Sequence, residues 1–562
     1  VRVRRTGVAA CAISQKNNPG QLSVKDRYDL LHRGLFPETL PPCFVSSDLK
    51  RSLAGIVNEL KAKALHKRST TYIPYDGTKH DGSRRLFGSP NPISYFHVAS
   101  FIADNWRIFD KRFRDTPFSV SRPKTASASA DRPIIIPSLS ELTTAASRQL
   151  SHSPYILKTD ISQFFPSIYT HSIPWSAHGV EQSKGDQRAN SPTIFFNKLD
   201  YFVQCCQANE TRGLVVGPDA FRLIAEFIIA GLDVELNARI RGRTVGAARH
   251  VDDYFIGLRS EVDSQEVLSA LRETLQRYHL HVNDSKTKTI AGIEPLNDLW
   301  AQKLRVEALE IKRYAAFDTP RLILFINKAL SISQEIGSAS PFKIALRTLD
   351  QTRIYETADW EKIEPYLQRA IFYYPHCIDY TALLVVKRFA LGKSVDNAGW
   401  KAACDDLLKL HLARNHHHEI VWLTWMLLSI DIPLEKALVD ALCQNDNAHV
   451  RALVIAAFVG DGIDSRPPLS LGSKLATTDA NWLTNIVARS TGFTKAAFSG
   501  AHASEFEHLA SRRVKFVDFK AYLAVARKQK LLAISRTRYG YDAEDYEDPD
   551  QFLGFFDDEI EE

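Results

Sequence analysis

Two adjacent acids, Asp252 and Asp253, interrupt an apolar run in RHVDDYFIG, and no other feature limits the possible folds of the chain so tightly. The flanking residues are β-branched and aromatic, which predicts a strand that turns sharply into a second strand. Two carboxylates side by side in such a place are disfavoured by desolvation and mutual repulsion unless cations lie beside them. Taken alone, the pair also suits an ordinary hairpin turn.

A second acid of the same kind stands upstream. Asp160 ends the apolar run of YILKTDISQFFPSI and is followed by a helix-like segment carrying Phe164 and Phe165. One carboxylate from each strand bridging two Mg²⁺ ions about 3.5–4 Å apart is the arrangement that activates a 3′-hydroxyl and holds a triphosphate for in-line displacement. Helix capping, with Gln163 as partner, is the other reading of Asp160.

Around these acids the pattern is α+β. Short strands alternate with helical stretches such as GPDAFRLIAEFIIAGLDVELN and SQEVLSALRETLQRYH. Upstream, an amphipathic helix is expected from about Leu22, stopped by Gly34 and a proline-rich turn, and basic residues sit on small-residue loops. Beyond Ala315 helix follows helix with no strict period, which reads as a HEAT-like stack. The expected division is 1–150 for N-terminal helices and fingers, 151–310 for the strand-bearing core, 311–540 for an all-helical repeat-like domain and 541–562 for an acidic tail. The tail reads as solvated, or as a phosphate mimic docked in a basic channel, with Phe552, Phe555 and Phe556 imitating stacked bases.

Seventy-one Lys and Arg against 65 Asp and Glu leave a charge of +6, and the acids crowd into the tail, so the body is basic enough to bind nucleic acid. Seven cysteines without a CxxC pair fit reduced thiols, and no segment reaches membrane-spanning length, so the chain is read as cytoplasmic. His416, His417 and His418, being consecutive, point to different faces of a helix, and no second ligand cluster is evident to complete a zinc site. Tyr169 and His171 read as packing rather than as a nucleophile and base.

In order along the chain, Asp160 with Phe164 and Phe165, GLVVGPD from Gly213 to Asp219, VDDY from Val251 to Tyr254 and NDSKTKT around Lys286 resemble motifs A, B, C and D of the reverse transcriptases. FFPSIYTHSIPW, GPDAFRLIAE and HVDDYFIG, with a helical C-terminal region in place of a thumb and RNase H domain, are most similar to the abortive-infection (Abi) and related bacterial defence enzymes. The resemblance implies right-hand-like fingers and palm, and Asp160, Asp252 and Asp253 as the metal ligands for Mg²⁺, with Mn²⁺ as a substitute. It implies Phe165 as the steric gate favouring dNTPs, with plain core as the other reading. Lys286 is implied near the leaving pyrophosphate, and Arg132 as the fingers guanidinium on the triphosphate, with Arg122, Lys124 and Arg148 competing for that role. Gly213 and Gly217 are implied as the points where the backbone approaches nucleotide and template.

The chain departs from the family at Val215 and Val216, where proline and glutamine are usual, and at His250, where tyrosine is common. An apolar residue at 216 cannot hydrogen-bond, which weakens the case for ordinary template copying. The resemblance then implies a DNA polymerase of antiphage defence that works without a template or on a non-coding RNA. Its DNA product would be attached through a tyrosine, for which Tyr72, Tyr75, Tyr539, Tyr541 and Tyr546 in expected loops are candidates, and a homo-oligomer is expected. A polymerase-like scaffold or sensor that binds RNA or protein with reduced catalysis is the alternative.

Overall fold

The computed structural model describes residues 29–519 and 522, apart from 127–129, 131, 136, 138, 297 and 313–317. The expected helix start near Leu22 and the acidic tail, with its docking hypothesis and three of the candidate tyrosines, lie outside the described residues.

An antiparallel hairpin, β1 (Ile73–Thr78) and β2 (Arg84–Ser89), precedes the core. The core sheet has four strands: β3 (Tyr155–Thr159), then β4 (Thr244–His250) and β5 (Asp253–Leu258), then β6 (Lys288–Ala291), in the spatial order β4-β5-β3-β6 and antiparallel throughout. Between β3 and β4 runs α1 (Asp219–Ile240), and between β5 and β6 runs α2 (Asp263–Gln276).

The strand pleat divides the sheet between two cores, because successive side chains leave opposite faces. Leu157, Ala247, Tyr254 and Ile256 join the main core with α1, whereas Ile156, Ala248 and Ile290 pack with Ala146 and Leu150 of the helix Leu139–Leu150. One consequence positions the site: the ends of β3 and β5 are held in register between two packed layers.

From Leu299 to Ser511 the chain is mainly helical, with α3 (Asn397–Arg414) and α4 (His417–Ser429) packed against each other. It is not all-helical. Lys474–Ala476 pairs in parallel with Ala497–Ser499, and the helix Trp482–Ser490 crosses between them. Three-residue strands are too short for alternation to show, which is why the periodicity missed them. The helical region closes back on the N-terminal segments: Val45 N–H donates to Phe516 O, Thr71 N–H to Thr478 O, and Ser89 Oγ lies 2.8 Å from His449 Nε2. No described helix is long and apolar enough to cross a membrane.

Candidate active site

His250 pairs with Asp253, so the hairpin between β4 and β5 turns on Val251 and Asp252. Val251 holds φ at +51°, a left-handed conformation that a β-branched residue adopts only when its surroundings impose it. The surroundings are visible: Val251 N–H donates to Ser121 Oγ at 3.1 Å, and Val251 O accepts from Arg249 Nη1 at 2.7 Å. Strain is thus held at the turn that carries both acids.

Asp160 arrives beside that turn from β3. The register Thr159↔Tyr254 continues into a hydrogen bond from Ile161 N–H to Asp252 O at 3.3 Å. On its other side Asp160 O accepts from Asn283 N–H at 2.9 Å, which draws in the turn Asp284–Lys286 and sets Lys286 Nζ 3.5 Å from Asp160 Oδ2. The structure therefore brings Asp160, Asp252, Asp253 and Lys286 to one corner of the sheet. The segment HLHV before Lys286 is not a strand; only Val282 makes a bridge, to Ile161. The capping alternative fails, since the helix Phe164–Ser167 begins after Gln163 in a left-handed conformation, with no side-chain cap. Among the described residues, the three carboxylates do not form a group with all ligand atoms within 4.8 Å.

Phe164 and Phe165 part company as expected. Phe164 is buried in the core and Phe165 is half-buried, the two rings meeting edge to face at 5.4 Å. Phe165 O accepts from Leu214 N–H and Ile168 O from Gly213 N–H, so the two motif segments lie against each other. Gly213 and Gly217 both hold positive φ, at +88° and +120°. At Gly217 the close approach is to protein: a Cβ there would fall 2.7 Å from Pro37 Cβ and Cγ. Val215 and Val216 are buried, and Val216 O accepts from Gly88 N–H on β2.

Arg132 is placed differently from the sequence expectation. Its guanidinium is buried, 2.9 Å from Asp219 Oδ1, and donates to Phe36 O at 2.8 Å and Gly217 O at 3.4 Å. Asp219 also meets Arg222, which pairs with Glu38 as well. Burial of the carboxylates makes these arginines internal ties of the GLVVGPD loop rather than hands extended to a triphosphate. Arg122 is committed to Ser119 O and Thr116 O, and Arg148 is exposed. Tyr75, expected in a loop, is fully buried in β1 and donates to Thr39 O at 3.0 Å.

Sequence reasoning missed the support beneath the acid turn. Arg249, fully buried, meets Glu226 and Asp233 of α1 at 2.8 Å each, and Tyr254 Oη donates to Asp233 Oδ1 at 2.8 Å. The readable signal was two acids seven apart, Glu226 within and Asp233 at the end of the apolar run LIAEFIIAGL. Burial, with Arg249 adjacent, pushes His250 down to about 4, so its imidazole is neutral at physiological pH. His171 is paired with Asp200, which raises its pKa, and Tyr169 packs on His171 and Trp175, in keeping with a structural role. His416, His417 and His418 do diverge, toward His411, Asp76 and Tyr75 in turn. A second set of ligands nonetheless exists, because His411 and Glu419 converge on His416.

No protein-family model matches the chain, and no curated protein matches it. Among solved structures, telomerase from Candida albicans in complex with the TWJ fragment of telomeric RNA aligns at 11% identity and a TM-score of 0.28, over 68% of this chain and 69% of that one. Apo telomerase from Candida tropicalis aligns at 12% identity and a TM-score of 0.29, over 69% and 70%. Superpositions this loose do not establish a shared fold.

Proposed function

We propose that the chain is a divalent-metal-dependent nucleotidyltransferase that builds DNA, a polymerase of the reverse-transcriptase kind. The observation that carries this reading is the hydrogen-bonded placement of Asp160 against the Asp252 turn, with Lys286 reaching Asp160 from the next loop. The donors at this corner are carboxylate oxygens, the hard set that suits Mg²⁺ and also Mn²⁺. Asp160, Asp252 and Asp253 would hold the metal. When bound, a pair of such ions lowers the pKa of a 3′-hydroxyl and neutralises the triphosphate.

In the reaction the 3′-oxygen forms a bond to the α-phosphorus of a dNTP, the hydroxyl proton is lost, and the bond to pyrophosphate breaks. The Lys286 ammonium, beside Asp160, suits the charge that develops on the departing pyrophosphate and can supply its proton. Phe165, half-buried where the two motif segments meet, would stand against the sugar and exclude a 2′-hydroxyl. Val216 is buried with its carbonyl bonded to Gly88, so its side chain offers a template base no hydrogen bond. That supports DNA synthesis without ordinary copying, or on a non-coding RNA held by other contacts.

Antiphage defence by abortive infection, attachment of the product through a tyrosine and assembly into a homo-oligomer are proposed from the likeness of the motifs to the Abi-type enzymes. The test is incubation of tag-free protein with Mg²⁺ and each labelled dNTP, with and without RNA or DNA, followed by protease. Incorporation that Asp252→Asn abolishes is expected, and a product whose mobility shifts on proteolysis marks covalent attachment. Undiminished incorporation by Asp252→Asn would remove the reading.

A further inference from the structure

His411 and His416 face each other across the turn between α3 and α4, their Nδ1 atoms 3.1 Å apart. Asn415, in a left-handed conformation with φ +53°, ends α3 and folds the chain back, which makes neighbours of two histidines five positions apart. Glu419 enters from the first turn of α4, and one ligand atom from each of the three side chains lies within 4.8 Å of the others.

The plain alternative is a hydrogen-bonded imidazole pair beside an ion-paired glutamate. It leaves His411, 2% exposed, with another imidazole as its side-chain hydrogen-bond partner. An imidazole in its neutral form offers a lone pair to a metal. Two imidazole nitrogens bound to a tetrahedral ion at about 2.0–2.1 Å would stand roughly 3.3 Å apart, close to the spacing present.

Glu419 is compatible with the same ion. Arg84 Nη1 and Nη2 donate to Oε1 and Oε2 at 2.7 and 3.1 Å, and Thr78 Oγ1 donates to Oε1. A carboxylate has about four acceptor sites, so these three bonds leave room for one more on Oε2 and orient the group as outer-shell partners do for a ligating carboxylate. Arg84 and Arg414 are the cations that act on His411, and Glu419 and Asp76 oppose them, so no excess of positive charge excludes a cation.

We propose that His411, His416 and Glu419 bind a zinc-class divalent cation, which clips the α3–α4 turn to the β1–β2 hairpin through Arg84 and Thr78. Two nitrogens and one carboxylate oxygen favour Zn²⁺ over Mg²⁺, and half-exposed His416 leaves a side open for water as fourth ligand. This site is independent of the polymerase reading.

Full-length, tag-free protein stripped with chelator is titrated with Co²⁺ as a spectroscopic probe, then with Zn²⁺. The expected result is one Co²⁺ per chain with visible absorption of a four- or five-coordinate ion, displaced by Zn²⁺, and a thermal midpoint raised by Zn²⁺. His416→Ala, at the half-exposed position, should lose both while its midpoint without metal stays near that of the parent; Asp252→Asn should keep both. Absence of the band in the parent protein, or its persistence in His416→Ala and His411→Asn, would overturn the proposal.

Discussion

Arg249 clasps Asp233 from beneath the acid turn: its Nε and Nη2 donate to Asp233 Oδ2 at 2.9 and 2.8 Å, while Nη1 donates to the carbonyl of Val251. One guanidinium thereby joins α1 to the left-handed residue that sets Asp252 in place. Glu226 takes the remaining donors, so one buried guanidinium serves two buried carboxylates.

Removing the cation should be costly for this reason. Arg249→Ala leaves Glu226 and Asp233 buried without their counter-ion, a loss of about 3–5 kcal/mol for a broken buried pair. The urea midpoint is expected to fall accordingly, and nucleotide incorporation with it. An Arg249→Ala protein with the parent midpoint would show that the cluster does not hold the turn.

Gly217 offers a second structural test. Its φ of +120° is disfavoured for any residue with a Cβ, and the added carbon would lie 2.7 Å from Pro37. Gly217→Ala is expected to destabilise by roughly 2 kcal/mol or more, through strain and overpacking together. Gly242→Ala, also at positive φ but with nothing within 4 Å, should be milder, which isolates the contribution of Pro37. Thermal midpoints of the two variants decide it, and equal shifts would assign the whole effect to the backbone.

The acid corner was legible because carboxylates in apolar strands stand out against the packing rule, and because a motif order can be read without a structure. Its supports were not. Arg249 reads as an exposed strand residue, and its partners lie 16 and 23 positions away on a helix, joined only once α1 packs on the sheet. The resemblance points Arg132 at a triphosphate, because the buried Asp219 that claims it is remote in sequence. His411 escaped because its pairing with His416 depends on the left-handed Asn415, which periodicity does not report.

Acid should weaken the fold before it protonates the carboxylates. Burial pushes His449 down to about 3 and His411 to about 4, against about 6.5 in the unfolded chain. Between pH about 6.5 and those values the unfolded state binds protons that the folded state refuses, so stability falls as pH falls, by an order of 3–5 kcal/mol per group at the low end. His171, raised by its hydrogen bond to Asp200, acts in the opposite sense: its contribution is present below about 6.5 and lost as pH rises through its folded value. More groups are lowered than raised, with His97 and His418 also below 6.5, so the urea midpoint at pH 5 is expected to lie below that at pH 7.5. An unchanged or higher midpoint would contradict this balance.

Chemistry and binding separate at Asp252 and Lys286. If the carboxylates hold the metal, Asp252→Asn removes charge from the ligand set, and incorporation should fall by about three orders of magnitude or more with the thermal midpoint little changed, because Asp252 is half-buried at the turn rather than within the core. Lys286 lies beside Asp160 and is 39% exposed, so Lys286→Ala should fold normally. Loss of a proton donor that contributes in the transition state lowers kcat by about 10²–10⁴ with less effect on KM. Lys286→Arg keeps the charge but cannot give up its proton readily, and so should restore binding of the dNTP more than turnover. Single-turnover incorporation across a pH series distinguishes these roles: a donor makes the parent profile fall at high pH and leaves the Ala variant flat there, whereas a purely electrostatic lysine is rescued by arginine in kcat as well.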